Sequence, residues 1–324
     1  MLRECLQSLT EQETYGGHSL SLEIVVIDNG STDGSTEMVL NLFPYCHLIR
    51  NTTNRGFCGA NNQGIAAATS PLIALLNNDA VASPHWVAAL LEAINRDPRN
   101  GMAASKIVQY ESPGIIDKAG GHILFLDGQN RGRGTGELDR GQYDGQLELG
   151  WPDGCAAMYR KAMFDHVGTF DEDLFAYADD AELGLRARIG GWQCAYAPDA
   201  LVRHRRGATL GQGNPRRVFL IERNRILLAA KLFPWTLLLL NPFYFLQRVW
   251  AAKSNGGDLA AFPGWSGKSR VAWAMIRANL AALWLLPRFL RKRRDIDRLA
   301  RIRGRDLAKL LRREAPTAAS MFIS

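Results

Sequence analysis

Residues 71–95 read PLIALLNNDAVASPHWVAALLEAIN. The run Pro71-Leu72-Ile73-Ala74-Leu75-Leu76 has the length and apolarity of a buried strand, and it stops at the polar turn Asn77-Asn78-Asp79. Ser83 followed by Pro84 offers an N-cap and a proline at the first helical position, so a helix is predicted over 84–95. A strand, a polar turn and a helix in immediate succession form the repeating unit of an α/β fold.

The same alternation extends both ways. Residues 2–12 form an amphipathic helix with Leu2, Leu6 and Leu9 on one side. Glu23-Ile24-Val25-Val26-Ile27 is a β-branched run that ends in the loop Asp28-Asn29-Gly30-Ser31-Thr32-Asp33-Gly34-Ser35. A helix over 35–42, a short strand at His47-Leu48-Ile49 and a helical stretch from Asn61 to Thr69 follow. Downstream, Gly154 to Tyr159 reads as a strand, Arg160 to Val167 as a helix, 180–189 as another helix, and Ala200-Leu201-Val202 as a strand. Between 110 and 150 the chain turns Gly-rich and polar, which predicts long loops or a small irregular insert. The expected fold class is α/β, a mostly parallel sheet with helices on both faces.

The chain has 324 residues, 47% of them hydrophobic, enough for a sizeable core. Its five cysteines show no CxxC spacing, so reduced thiols in a cytosolic setting are expected. The start, MLRECLQSLTEQE, lacks the layout of a secretion signal. The net charge of +7 is concentrated between Arg288 and Arg313. Such a run is either a solvated helix face or a surface for an anionic partner. It carries no recognised nucleic-acid reading motif, so no nucleic acid is expected. Two apolar runs, 232–247 and 271–287, are interrupted by Pro234, Asn241 and Pro242 and by Arg277. Both fall short of the roughly 20 residues of a spanning helix. They are predicted to lie in a membrane interface or to pack on the domain.

Phe170 to Arg188 reads FDEDLFAYADDAELGLRAR, with six carboxylates between Asp171 and Glu182. Asp179-Asp180-Ala181-Glu182 fits a capping box, with Asp179 as N-cap and Glu182 at N3. Asp180 is then left at the helix start, where the dipole favours its charged form and makes it a ready proton acceptor. Asp28, at a strand end before a Gly/Ser turn, sits where open sheets bind ligands, or else closes an Asx turn. In Asn54-Arg55-Gly56-Phe57-Cys58-Gly59-Ala60-Asn61-Asn62-Gln63-Gly64 the glycines allow a ligand close to the backbone, and Arg55 can pair with a phosphate. The alternative is a plain turn in which Asn61 caps the helix. Asp79 can bind Mg²⁺ or Mn²⁺ together with diphosphate oxygens, although one carboxylate is not a metal site by itself. His204 is a second metal ligand, an oxyanion contact or a structural histidine.

Taken in order, VVIDNGSTDGS, NRGFCGANNQGI, LLNNDAVASPHWV, GCAAMYRKAMFDHVGTFDEDLFAYADDAELGLRARIGGW, PDALVRH and ERNRILLAAKLFP resemble glycosyltransferase family 2. The likeness covers nearly the whole chain and is greatest to bacterial rhamnosyltransferases and galactofuranosyltransferases. It implies a GT-A fold, a Rossmann-like domain over 1–215 with a nucleotide-sugar part to about 109 and an acceptor part from about 110. A helical, basic region over 216–324 follows. It implies that Asp28, Asn29, Asn54, Arg55, Gly56, Asn61 and Asn78 line the nucleotide-sugar site, with Arg223 a counter-charge on the diphosphate. Asp79 becomes the surviving carboxylate of a metal-binding DxD in which Asn77 replaces the first Asp. His204 helps hold the metal, Asp180 is the catalytic base, and Trp192 packs.

The implied reaction is inverting transfer from a nucleoside-diphosphate sugar, dTDP-rhamnose among them, to a saccharide or lipid-diphosphate-linked acceptor in cell-surface polysaccharide synthesis. The implied location is cytoplasmic, peripheral on the anionic inner face of the cytoplasmic membrane. Family members begin with an apolar strand before the helix LRECLQSL, whereas this sequence starts at the helix. That departure raises the expectation of a misassigned start or a truncated gene. It also raises a rival expectation, a catalytically inactive nucleotide-sugar binding or scaffold protein.

Overall fold

Short strands alternate with helices through the first hundred residues of the computed structural model, which describes residues 1–17, 19–205, 213–255, 262 and 264–314. The order is α1 (Leu2–Thr10), β1 (Val25–Asp28), α2 (Ser35–Leu42), β2 (His47–Arg50), α3 (Gly56–Ala67), β3 (Leu72–Leu76), β4 (Ala80–Ala82) and α4 (Trp86–Asn95). Then come β5 (Asn100–Gln109), β6 (Ile116–Ala119), β7 (His122–Leu124), β8 (Asn130–Gly132), β9 (Glu148–Leu149) and β10 (Ala156–Arg160). They are followed by α5 (Lys161–Val167), a 3₁₀ turn at Glu172–Leu174, α6 (Asp179–Ile189) and β11 (Gln193–His204). Among the described residues α7 (Pro215–Leu232), α8 (Trp235–Asn255), α9 (Gly264–Leu299) and α10 (Gly304–Glu314) follow.

The expected α/β architecture is present, a central sheet flanked by helices, but its pairing is mixed rather than mostly parallel. In the seven-stranded sheet the order is β3-β10-β5-β11-β4, with β6 on β5 and β9 on β11. β10 runs antiparallel to both β3 and β5, while β5 and β11 are parallel. Thus β3, β5 and β11 share one direction, and the antiparallel β10 inserted between two of them breaks the parallel run that alternation suggested. β1 and β2 pair in parallel in a sheet of their own.

The chain divides into two compact units. The first comprises 1–122, 132–188 and 192–206. Its main core packs α4 residues Trp86, Leu90, Ala93 and Ile94 on the sheet residues Ala103, Ile107, Met158 and Val202. Trp86 is fully enclosed, and its indole N–H donates to Ser105 Oγ at 2.8 Å. A smaller cluster joins Leu6, Val39 and Phe43 to Ile24, Val26 and Leu48. Helix α4 starts at Trp86, two residues later than predicted: the Ser83 carbonyl accepts the Trp86 N–H at 3.0 Å, and the Ser83 hydroxyl caps nothing. Helix α3 starts at Gly56 rather than Asn61, because Gly56 turns the chain with φ of 73°. Asn61 does not cap; its amide donates to the Phe57 carbonyl inside the helix.

The second unit comprises 123–131, 189–191 and 207–324. In it α7 packs along α9, which buries Val271, Ala274, Ala278, Ala282, Phe289 and Ile296 at helical spacing. The segment before β8 is tied to α7 and α8 by buried charges. Arg248 binds Asp127 and, at 3.0 Å, Glu222, and Arg225 pairs with Glu222 and donates to the Asp127 carbonyl at 3.0 Å. No helix among the described residues is long and apolar enough to cross a membrane.

Candidate active site

Strand register assembles the first cluster. β11 pairs antiparallel with β4 so that His204 lies opposite Ala80, the residue after Asp79. The Arg205 N–H donates to the Asp79 carbonyl at 3.0 Å and fixes the turn. His204 Nε2 then lies 3.4 Å from Asp79 Oδ1. On its other side Nδ1 meets Asp117 Oδ2 at 2.7 Å. Asp117 reaches it because β6 is bulged: Lys118 pairs with Ile107 and Ile116 with Val108, leaving Asp117 as the extra residue. A bulge of this kind re-aims a side chain. All three side chains are buried.

Burial opposes a charge on His204, but the Cys155 sulfur, Asp117 and Asp79 around it outweigh burial and raise its pKa to about 12. Asp79 Oδ1 is buried and makes no hydrogen bond. The ring is therefore protonated here, and a divalent cation such as Mg²⁺ or Mn²⁺ would bind only in place of the Nε2 proton, held by Asp79 Oδ1 and Nε2 with Asp117 bracing the ring.

The second cluster surrounds Asp180, in the first turn of α6. His122 Nε2 lies 2.8 Å from Asp180 Oδ2 and 2.6 Å from Asp153 Oδ2. Lys118 Nζ is 2.6 Å from the same Asp153 oxygen. Burial would raise the Asp153 pKa, yet Lys118 and His122 hold it well below the usual carboxylate range. The two clusters are held by adjacent residues of β6: Lys118 pairs with Asp153, and Asp117 holds His204.

The acidic block folds differently from a capping box. Asp179 is inside the helix rather than before it, and Ala178 precedes it with φ of 59°. Burial and the neighbouring charge of Asp180 push Asp179 up to about 8. Glu182, fully buried, pairs with Arg186 at 2.7 Å one turn on, and Arg186 also donates to the carbonyls of Gly168 and Thr169. Phe175, Tyr177 and Ala178 all have positive φ, of 68°, 69° and 59°, and Phe175, with ψ of −59°, makes a classic γ-turn. Each such sparsely populated backbone conformation costs about 1–3 kcal/mol without glycine. Strain of this kind concentrates where surrounding structure holds a functional residue in place.

Of the residues expected to line the nucleotide site, Asn29, Asn54, Arg55 and Gly56 form one hydrogen-bonded loop cluster. Asp28 accepts from the Ser31 N–H and the Thr36 hydroxyl, both at 2.9 Å; Ser31 is three residues on, one more than an Asx turn spans. Asn29 accepts the Arg55 N–H and donates to Asn54 Oδ1 and the Gly56 carbonyl. Gly56 is required here, since a Cβ would sit 2.5 Å from the Phe175 carbonyl oxygen. Arg55 faces Glu172 at 3.7 Å on the surface, a weak pairing. Asn78 is exposed in the turn between β3 and β4. Arg223 belongs to the second unit, donating to Asn224 Oδ1 at 2.8 Å. Trp192 packs: its N–H donates to His166, and its ring lies against Gly101.

Sequence reading did not single out Asp117, Lys118, His122 or Asp153. Three of them lie at the start of the polar stretch read as loops. The one available signal is the run of ionisable side chains in Asp117-Lys118-Ala119-Gly120-Gly121-His122 beside two glycines.

The profile of glycosyl transferase family 2 matches residues 1–168. An N-acetylglucosaminyl-diphospho-decaprenol L-rhamnosyltransferase of Mycobacterium tuberculosis is 29% identical over 212 residues, 59% of this chain and 69% of the relative. Polypeptide N-acetylgalactosaminyltransferase 9 of Homo sapiens is 23% identical over 209 residues, 60% of this chain and 34% of the relative. Among solved structures, a mannosyltransferase from Pyrobaculum calidifontis in complex with GDP-Man and Mn²⁺ superposes with a TM-score of 0.52 at 17% identity, over 92% of this chain and 81% of its own. GalNAc-T7 with UDP, GalNAc and Mn²⁺ gives a TM-score of 0.50 at 15% identity, over 78% and 49%. These two likenesses establish the GT-A fold alone. With the profile spanning just over half its length, the chain belongs to glycosyl transferase family 2 and is a glycosyltransferase.

Proposed function

We propose that this glycosyltransferase is inverting, depends on Mg²⁺ or Mn²⁺, and moves a sugar from a nucleoside-diphosphate donor to a saccharide hydroxyl on a lipid-linked acceptor. The observation that carries the reading is a pair of charged chains, Asp79–His204–Asp117 and Lys118–Asp153–His122–Asp180, anchored on the adjacent residues Asp117 and Lys118 of β6. Asp79 and His204 are read as the cation-binding group and Asp180 as the proton acceptor.

In this mechanism Asp79 and His204 would hold the cation, with Asp117 fixing the His204 ring. When bound, the cation offsets the negative charge that grows on the leaving diphosphate. Asp180 takes the proton of the acceptor hydroxyl, and that oxygen attacks the anomeric carbon from the face opposite the diphosphate. The bond to the diphosphate breaks with its electron pair, so the configuration inverts. Asn29, Asn54 and Gly56 shape the loop that receives the nucleoside, together with Asp28, Asn61 and Asn78. Arg55 can leave its exposed partner Glu172 for a phosphate. The similarity to a diphospho-decaprenol rhamnosyltransferase makes dTDP-rhamnose and a lipid-diphosphate saccharide the first substrates to test.

A donor screen reading nucleotide release, with and without EDTA, tests the reading. Release that needs Mn²⁺ or Mg²⁺, and a product of anomeric configuration opposite to the donor's, is the expected result. Release insensitive to EDTA, or retained configuration, contradicts it.

We place the enzyme on an anionic membrane surface, as a peripheral protein of the cytoplasmic face. Support comes from the second unit, where Trp265, Trp273, Leu280, Leu283 and Trp284 of α9 and Leu239, Phe243 and Leu246 of α8 are exposed. The same helix α9 carries Arg288, Arg291 and Lys292. An apolar face beside basic residues suits the boundary of headgroups and acyl chains. Replacing both Trp265 and Trp284 by serine should weaken pelleting with anionic vesicles by about tenfold or more, from the apolar area lost. Unchanged pelleting removes α9 from the interface.

A further inference from the structure

His122 reaches the site through glycine. Gly120 takes φ of +86°, and a Cβ there would lie 2.5 Å from the Leu149 side chain. A Cβ on Gly121 would lie 2.1 Å from the Trp151 carbonyl oxygen. Only glycine lets this strand lie against 151–153, where Gly121 and Pro152 form an antiparallel bridge. That contact delivers His122 to Asp153. From the other side, Gly184 of α6 lets the helix close on Trp151, since a Cβ there would meet the Trp151 Cβ at 2.0 Å. Asp180 Oδ2 is thereby brought to 3.5 Å from the Gly154 N–H. Three close approaches thus converge on one imidazole.

We propose that His122 is a positioning residue for the Asp180 carboxylate, holding Oδ2 through Nε2 while Asp153 holds the ring, so that Asp180 is aimed at the acceptor hydroxyl. The proposal rests on the reading of Asp180 as the base. Nδ1 of His122 is buried and makes no hydrogen bond. Both carboxylates therefore share the single Nε2–H, at 2.6 and 2.8 Å. When Asp180 takes the substrate's proton and loses its charge, the shared N–H is left to Asp153.

Burial opposes protonation of His122, but the charge of Asp180 and the hydrogen bond to Asp153 outweigh it and bring its pKa up to about 10. The ring is thus an imidazolium through the neutral range. The charged groups facing it are Asp153, Asp180, Asp179 and, across Asp153, Lys118. His122, Asp153 and Asp180 also have spacing that a metal ion accepts. With Lys118 2.6 Å from Asp153 and the imidazolium between, two cations already balance the two carboxylates without one.

The test uses the full chain with His122→Ala and His122→Gln, beside Asp180→Asn. Donor affinity in Mn²⁺ is read by calorimetry and transfer by nucleotide release across pH. Displacing a catalytic group by about 1 Å costs roughly 10²-fold. We expect His122→Ala to lower kcat by that order with unchanged donor affinity, and to move the acid limb of the kcat profile to higher pH. His122→Gln, which keeps an N–H but no charge, should recover part of kcat and leave the limb shifted. A kcat within about twofold of wild type with an unmoved pH profile overturns the proposal while Asp180→Asn remains inactive. A kcat loss matched by lost Mn²⁺-dependent donor binding overturns it too, in favour of a metal ligand. An active Asp180→Asn overturns the base reading itself.

Discussion

His204 and His122 are both buried histidines between two carboxylates, yet they are held in different ways. His204 spends one nitrogen on each partner: Nδ1 sits 2.7 Å from Asp117, while Nε2 stays 3.4 Å from an Asp79 oxygen that makes no hydrogen bond. His122 gives one nitrogen to both partners at 2.6 and 2.8 Å, with Lys118 alongside. The first arrangement is open towards Asp79 and suits an incoming cation; the second is closed and charge-balanced, and suits aiming a carboxylate. Two clusters with the same residue types are told apart by which ring nitrogen is used and by the Lys118 ammonium beside the second.

The largest expected effect breaks the open cluster. Asp79→Ala should lower transfer by roughly 10²–10³-fold and remove the Mn²⁺ dependence of donor binding together, as seen by calorimetry with and without the ion. Metal-dependent binding that survives would move the cation elsewhere. Next, Glu182→Ala leaves both clusters alone but strands buried Arg186. Losing one partner of a buried pair costs about 3–5 kcal/mol, so chemical denaturation should show a large loss of stability. A loss below about 1 kcal/mol would show that Glu182 does not hold α6.

Asp117→Asn sharpens the comparison more finely. Removing the carboxylate that braces a ligating histidine typically costs about 10–100-fold in metal affinity. Mn²⁺ titration should show that loss, and an unchanged affinity would count against His204 as a ligand. The smallest effect is in pH. His122 has its pKa raised to about 10, against roughly 6.5 in an unfolded chain. Between those values the folded protein holds an extra proton, so this contribution is complete below about pH 6.5 and fades as pH rises through about 10. Asp153 is depressed, so its part is present above about pH 3.9 and fades on acidification. Melting temperature should therefore fall from about pH 7 to pH 10, and fall less steeply in His122→Gln. Parallel slopes would mean that His122 is not charged in the fold.

Much of this was visible in the sequence where a single local rule sufficed. The apolar run 72–76 ending in Asn77-Asn78-Asp79 identified β3 and its turn, and the β-branched run before Asp28 identified β1. Asp179-Asp180-Ala181-Glu182 had capping-box spacing, but two non-local effects overrode it. Residues of positive φ up to Ala178 start the helix at Asp179, and Arg186 one turn on claims Glu182. The remaining site residues were hidden because no local pattern places them. Asp117 depends on a bulge in β6, and His122 on glycines whose role appears only against Leu149 and Trp151. The mixed sheet was hidden for a similar reason, since pairing direction belongs to β10 and its neighbours together.

The division of work between the two clusters is tested most directly in Asp180→Asn, by measuring Mn²⁺-dependent donor binding and sugar transfer on the same preparation. The account predicts donor binding equal to wild type and transfer lower by about 10²-fold or more. Transfer within about threefold of wild type, or donor binding lost along with transfer, would contradict it.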